Sequence, residues 1–185
     1  MRVIAGEKRG LKLTSPKGDF VRPTADKVRG AIFNTLQNRV PGAVFVDLFG
    51  GSGAMSVEAV SRGAREAWVF DIAGASLKTI RDNVTRAGFE DRIAIQKKSA
   101  DKAAAFLENR GVTCDILFLD PPYAEVPRHV ESALAFIQKK IIANDGIILI
   151  EHEKSVIMPV ALSDFVITKT KGYGITQITY YERGR

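Results

Sequence analysis

Apolar residues in this chain fall in short runs, separated by segments in which they recur every three or four positions. Runs bounded by turn residues read as strands, and the longer period reads as amphipathic helix. Val44-Phe45-Val46 predicts a strand, followed by a glycine loop at 50–53 and a helix ending near Gly63. Ala67-Trp68-Val69-Phe70 predicts a second strand, with a helix from about Ala75 to Ala87 and Gly88 as its stop. Ile93-Ala94-Ile95 and a helix from Ala100 to Asn109 come next, then Ile116–Leu119 and a helix from about Pro127 to Lys139. Gly146–Ile150 predicts a fifth strand. After Glu151 no long helical pattern returns. Phe165–Thr170 and Ile175–Tyr181 read as a hairpin joined by Lys171-Gly172-Tyr173-Gly174.

Ahead of this series the pattern is different. Residues 2–13 alternate weakly around Gly6 and Gly10, which suggests a short hairpin. A loop with Pro16, Gly18 and Pro23 follows. Thr24 is placed to cap a helix running to about Gln37, with Val28, Ile32, Phe33 and Leu36 on one face and Pro41-Gly42 closing it. The expectation is an α/β fold with a mostly parallel sheet flanked by helices and an antiparallel strand near one edge. Two segments are expected: an N-terminal hairpin-and-helix appendage, 1–40, and an α/β body, 41–185.

Charge sharpens that division. The 185 residues carry a net charge of +6. Residues 1–40 hold nine Lys or Arg and three acids, so the whole excess sits there, and the remaining residues balance at 18 of each sign. A segregated basic segment is the footprint of a polyanion binder. Arg22, Thr24, Lys27 and Arg29 are the candidate contacts to such a polyanion; the alternative for Arg29 is a surface pair with Asp26. No apolar run is long enough to span a membrane, and Met1–Gly6 lacks the apolar core of a signal peptide. The single cysteine, Cys114, excludes an internal disulfide, fits a reducing cytoplasm and reads as a buried thiol.

Between the first strand and helix lies Asp47-Leu48-Phe49-Gly50-Gly51-Ser52-Gly53. Glycines there allow close backbone approach to a ligand. Neither the dinucleotide fingerprint nor the P-loop spacing is present. A carboxylate at that strand end repels pyrophosphate and suits an ammonium or sulfonium group; S-adenosylmethionine has both. Asp71, ending the second strand, can accept from ribose hydroxyls. Asp101, after the third strand, can accept from an adenine amine or cap the next helix. Phe49, Ile72 and Ala100 are further candidate cofactor contacts, with Phe49 equally suited to the core.

Residues 120–123 read Asp-Pro-Pro-Tyr. Two prolines cannot continue a sheet ladder, so the fourth strand stops in a rigid turn at the sheet edge where α/β proteins bind ligands. An exocyclic base amine is a poor nucleophile because its lone pair is delocalised. Acceptors on its N–H bonds, here the Asp120 carboxylate and the Pro121 carbonyl, free that lone pair and stabilise the charge that develops. Pro122 locks the turn and Tyr123 offers a face on which a base can stack.

These residues resemble the class I S-adenosylmethionine-dependent methyltransferases. More narrowly, Arg2–Gly6 with Arg9-Gly10, Arg22–Arg29 and Ala31–Asn34 resemble the bacterial RsmD family. The resemblance implies S-adenosylmethionine as cofactor, held at Asp47, Gly50, Gly51, Gly53 and Asp71. It implies target-amine binding at Asp120–Tyr123 and a seven-stranded sheet of order 3-2-1-4-5-7-6. Its implied activity is methylation of guanine N2, at position 966 of 16S rRNA, by a cytoplasmic monomer acting on a small ribosomal subunit or assembly intermediate, without a metal. The acid ending the second strand, often glutamate in the class, is aspartate here. Asp-Pro-Pro-Tyr also occurs in N6-adenine DNA methyltransferases, which leaves that activity, or a non-catalytic RNA-binding module, as the alternatives. Tyr173 can line the target pocket or fill a hairpin turn. His152 can face the cleft but reads more readily as a surface histidine, and His129 as part of an exposed helix face.

Overall fold

The computed structural model describes residues 1–16 and 26–184. The expected cap Thr24 and the candidate Arg22 lie outside the described residues. The chain forms two compact units, Met1–Lys98 and Ser99–Arg185.

The first unit opens with the predicted hairpin, closed by an isolated antiparallel bridge between Arg2 and Lys12. Helix α1 (Asp26–Thr35) follows, then strand β1 (Val44–Asp47), helix α2 (Ala54–Ser61), strand β2 (Glu66–Asp71), helix α3 (Gly74–Ala87) and strand β3 (Ile93–Lys97). Strand β2 pairs in parallel with both β1 and β3. All four β1 residues are buried, and the first three, Val44-Phe45-Val46, read as a continuous apolar run. Gly88 ends α3 in the left-handed conformation.

The basic hairpin is packed against α2 through backbone groups. Glu58, fully buried in α2, accepts the N–H of Ile4 at 2.7 Å and of Ala5 at 3.1 Å. The Ser61 carbonyl accepts the Glu7 N–H at 2.7 Å. The Ser61 hydroxyl accepts from Lys8 N–H and donates to the Ala5 carbonyl. Gly6 has φ +85°, and a Cβ built there would collide with the Ser61 carbonyl. Only glycine fits that crossing.

The second unit holds helix α4 (Ala100–Glu108), strand β4 (Cys114–Leu119), a 3₁₀ turn at Tyr123–Glu125, helix α5 (Val126–Gln138) and strands β5 (Ile142–Glu153), β6 (Ala161–Leu162), β7 (Phe165–Tyr173) and β8 (Thr176–Arg183). Strand β5 is parallel to β4 and antiparallel to β8, and β7 lies outside β8. Cys114 is buried, as expected.

Three departures from expectation have physical causes. Among the described residues the sheet strands number eight, because Ala161 and Leu162 pair with Val166 and Phe165 as an added edge; two residues are too few to show a period. Strand β5 begins at Ile142 and runs past Ile150; polar Asn144 and Asp145 had hidden its first part. The terminal hairpin turns at Gly174-Ile175, with Tyr173 opposite Thr176, so 171–173 belong to β7. Its run of Thr and Lys is a mostly exposed strand face and disguised that continuation.

Candidate functional site

The acids that end β1 and β2 stand where the sequence placed them. Asp47 is only 1% exposed, and its carboxylate accepts the Phe49 N–H at 3.2 Å, which turns the chain out of the strand. Phe49 itself is half-buried. Asp71 reaches back to the glycine loop: one oxygen accepts Gly51 N–H at 2.9 Å and the other Ala73 N–H at 2.8 Å. The two expected cofactor segments are thus joined directly. Gly51 and Gly53 adopt φ of 54° and 75°. Gly50 is required by packing, since a Cβ there would strike the Val69 side chain and lie 2.9 Å from Ile80 Cδ1. Beside Asp71, Ile72 is 67% exposed.

This donor set fits S-adenosylmethionine. A nearly buried carboxylate favours a cationic group that brings its own hydrogen-bond donors. A half-exposed aspartate with spare lone pairs suits ribose hydroxyls. An exposed aliphatic side chain next to it suits the apolar face of an adenine.

In the second unit, Asp101 lies in the first turn of α4, but the capping position belongs to Ser99, which makes no side-chain capping bond. The helix-cap reading of Asp101 is therefore corrected. Its carboxylate instead accepts from Ser132 at 3.2 Å and pairs with Arg128 at 3.5 Å, both on α5. Ala100 is buried beneath it. The β4 strand stops at Leu119, and Asp120 is half-buried at its carboxyl end. Pro121 is buried and Pro122 exposed, and the Pro122 carbonyl accepts Glu125 N–H at 2.8 Å to close the turn in which Tyr123 begins the 3₁₀ segment. Among the described residues, no cluster of His, Cys, Asp or Glu is arranged to hold a metal ion.

Three sequence readings are overturned by burial. Arg29, expected to face RNA or to pair at the surface, is 0% exposed. It pairs with Asp26 at 2.9 Å, lies 3.6 Å from Glu58 and donates to the Arg2 carbonyl. A guanidinium enclosed in this way holds the hairpin and α1 to α2; it is not a phosphate contact. His152 is buried, with Nδ1 on the Glu153 carbonyl and Nε2 on the Thr179 hydroxyl, at 2.9 and 2.8 Å. Burial lowers its pKa. His129 is buried as well and lies 3.1 Å from Glu125. Tyr173 is half-buried near the tip of the terminal hairpin, and burial raises its hydroxyl pKa.

Sequence reading missed Glu58 and Asn83. Asn83, buried in α3, bonds both Thr14 and the Ser52 carbonyl of the glycine loop. A polar residue on the inner face of an amphipathic helix was the available signal. Lys27 remains exposed, as do Arg2, Arg9 and Lys12 of the hairpin.

Parallel βα units with acids at the first two strand ends, and an antiparallel strand beside β5, define a class I methyltransferase fold. A family model described as conserved hypothetical protein 95 matches residues 1–182. YlbH of Bacillus subtilis, provisionally named an rRNA methyltransferase, is 32% identical over 99% of both chains. Ribosomal RNA small subunit methyltransferase D of Escherichia coli is 29% identical over 99% of this chain and 90% of its own. The solved structure of the Escherichia coli methyltransferase candidate yhhF superposes with a TM-score of 0.83 at 28% identity, covering 99% and 97% of the two chains. The chain belongs to the RsmD family of S-adenosylmethionine-dependent methyltransferases.

Proposed function

We propose that this protein methylates the exocyclic N2 of a guanine in small-subunit ribosomal RNA, the guanine at position 966 of 16S rRNA. It does so as a cytoplasmic monomer working on a small-subunit particle. The observation that carries the reading is the proline-locked turn at the end of β4, which fixes an acid and a proline carbonyl at a sheet edge. Support for the substrate comes from the curated relatives, named as small-subunit rRNA methyltransferases, and from an N-terminal segment that carries the whole net positive charge of the chain.

S-adenosylmethionine, when bound, supplies an electrophilic methyl group. Asp47 would hold its cationic amino acid end, Asp71 its ribose and Ile72 its base. Asp120 and the Pro121 carbonyl accept from the two N–H groups of guanine N2 and turn its lone pair outward. Guanine N2 would be the nucleophile toward that methyl group, and the proton it sheds on alkylation would go to Asp120 or to solvent. Tyr123 stacks on the base, which must leave its helix first. Arg2, Arg9, Lys12, Lys27 and, in the adjoining segment, Arg22 and Thr24 contact the RNA backbone, which fixes orientation without reading sequence.

The test is labelled methyl transfer to unmethylated small subunits, naked rRNA and DNA, followed by nucleoside analysis. N2-methylguanosine at one rRNA position is the expected product. N6-methyladenine in DNA, or no transfer to any substrate, sinks the proposal.

A further inference from the structure

The Asn83 side chain bonds both the glycine loop and the chain leaving the basic hairpin. Its Oδ1 accepts the Thr14 N–H at 2.9 Å and the Thr14 hydroxyl at 3.1 Å. Its Nδ2 donates to the Thr14 carbonyl and to the Ser52 carbonyl, each at 2.9 Å. All four bonding positions of the amide are used, which fixes its orientation and makes it a rigid strut. The Asn83 side chain is buried completely, and its bond to the Ser52 carbonyl is buried as well.

The surrounding contacts give the strut something to transmit. On one side, the loop is held at Gly51 by Asp71, the candidate ribose ligand. Ser52 also donates to Met1 Sδ at 3.7 Å, so the loop touches the start of the hairpin as well as its exit. On the other side, Thr14 lies three positions before Lys17, in the stretch that continues to Arg22 and Lys27. The hairpin's first strand is independently pinned to α2 by Glu58 and Ser61, and α2 begins where the glycine loop ends. A ligand that orders residues 50–53 therefore fixes the Ser52 carbonyl, and through Asn83 it fixes Thr14.

We infer that Asn83 is a positioning residue that couples the cofactor loop to the RNA-binding N-terminal segment, so that cofactor and rRNA each strengthen the binding of the other. This rests on the proposed function. Linkage makes the coupling reciprocal. The amide is needed because only it both accepts from and donates to Thr14 while also reaching Ser52. Aspartate, of equal size, keeps the acceptor and loses both donors, and it sets a carboxylate oxygen against two carbonyls.

The experiment measures the affinity of S-adenosylhomocysteine by calorimetry, with and without saturating unmethylated small ribosomal subunits. Wild type should bind it about tenfold more tightly with subunits present, within the usual range of coupling between sites. In Asn83→Asp the ratio should fall to about one while each ligand alone still binds, with melting temperature recorded alongside. In wild type without RNA, S-adenosylhomocysteine should slow hydrogen exchange of the Thr14 amide, a readout that needs no variant to fold. A wild-type ratio of one, an undiminished ratio in Asn83→Asp, or an unchanged Thr14 amide overturns the inference while leaving the methyltransferase reading intact. Failure of wild type to bind S-adenosylhomocysteine or subunits at all overturns that reading, and the coupling with it.

Discussion

Replacing Glu58 by alanine should be one of the most destabilising single changes in the first unit. Four groups depend on this carboxylate: the N–H groups of Ile4 and Ala5, the Arg62 guanidinium at 2.6 Å and the enclosed Arg29 guanidinium at 3.6 Å. Each orphaned backbone N–H costs about 1 kcal/mol at partly buried sites. Breaking a buried ion pair by removing one partner costs about 3–5 kcal/mol, and the lower end applies because Arg29 keeps Asp26 and the Arg2 carbonyl. The expected loss is therefore about 4–5 kcal/mol, a large share of the ~5–15 kcal/mol that stabilises a domain. In a chain of this length that corresponds to a fall of about 10–15 °C in melting temperature. Urea unfolding followed by circular dichroism gives the free energy directly. The double variant Glu58→Met with Arg29→Met removes both charges and should lose at least about 2 kcal/mol less than the sum of the singles. A loss below about 1.5 kcal/mol for Glu58→Ala, or strict additivity in the double variant, would refute the account of the hairpin as mounted on a buried charge cluster.

Other outcomes are equally definite. Asp120→Asn should lower kcat by about a hundredfold or more with cofactor affinity unchanged; calorimetry showing lost cofactor binding instead would assign the acid to the wrong ligand. Asp71→Ala frees the N–H groups of Gly51 and Ala73 and should weaken S-adenosylhomocysteine binding by about tenfold or more. His152 has a pKa lowered from 6.5 by burial, so the stability it confers is present above that value and drains away as pH falls toward the folded pKa; His152→Gln should flatten the pH profile of urea midpoints on the acid side of 6.5. Glu7, held below the usual carboxylate range by Arg92 and Lys8, contributes only above about pH 4.5 and loses that contribution as pH drops through its lowered pKa. Because Glu7 is exposed, salt should erase the difference between wild type and Glu7→Gln.

The order of the parallel βα units was legible because Val44–Val46 of β1 and Ile116–Leu119 of β4 are buried and show as short apolar runs. Asp47, Asp71 and Asp120 were legible for a related reason: an acid directly after such a run can stand only at a strand end. What stayed hidden depends on partners far off in the sequence. Glu58 meets Ile4 across 54 positions, and Thr14 meets Asn83 across 69. No local pattern marks Arg29 as enclosed, because a charged residue on a short helix normally faces water. His152 was misplaced because its neighbours Glu151 and Glu153 look like a surface run, whereas β5 pairs with β8 along that stretch. Within 171–173, polar side chains obscured a strand whose pairing is made by the backbone.

The way the N-terminal hairpin is seated has a consequence for how this protein can change. Glu58, Ser61 and Asn83 grip peptide groups of residues 4, 5, 7, 8 and 14, and apart from the Thr14 hydroxyl they take hold of none of the side chains there. Gly6 must lack a side chain where it crosses the Ser61 carbonyl, Gly10 has φ +86°, and Val3 and Leu13 are buried. The outward residues Arg2, Arg9 and Lys12 can therefore be rewritten without unseating the hairpin. The mount and the charges it displays are separable, so a lineage can change the outward residues while the glycine loop stays as it is.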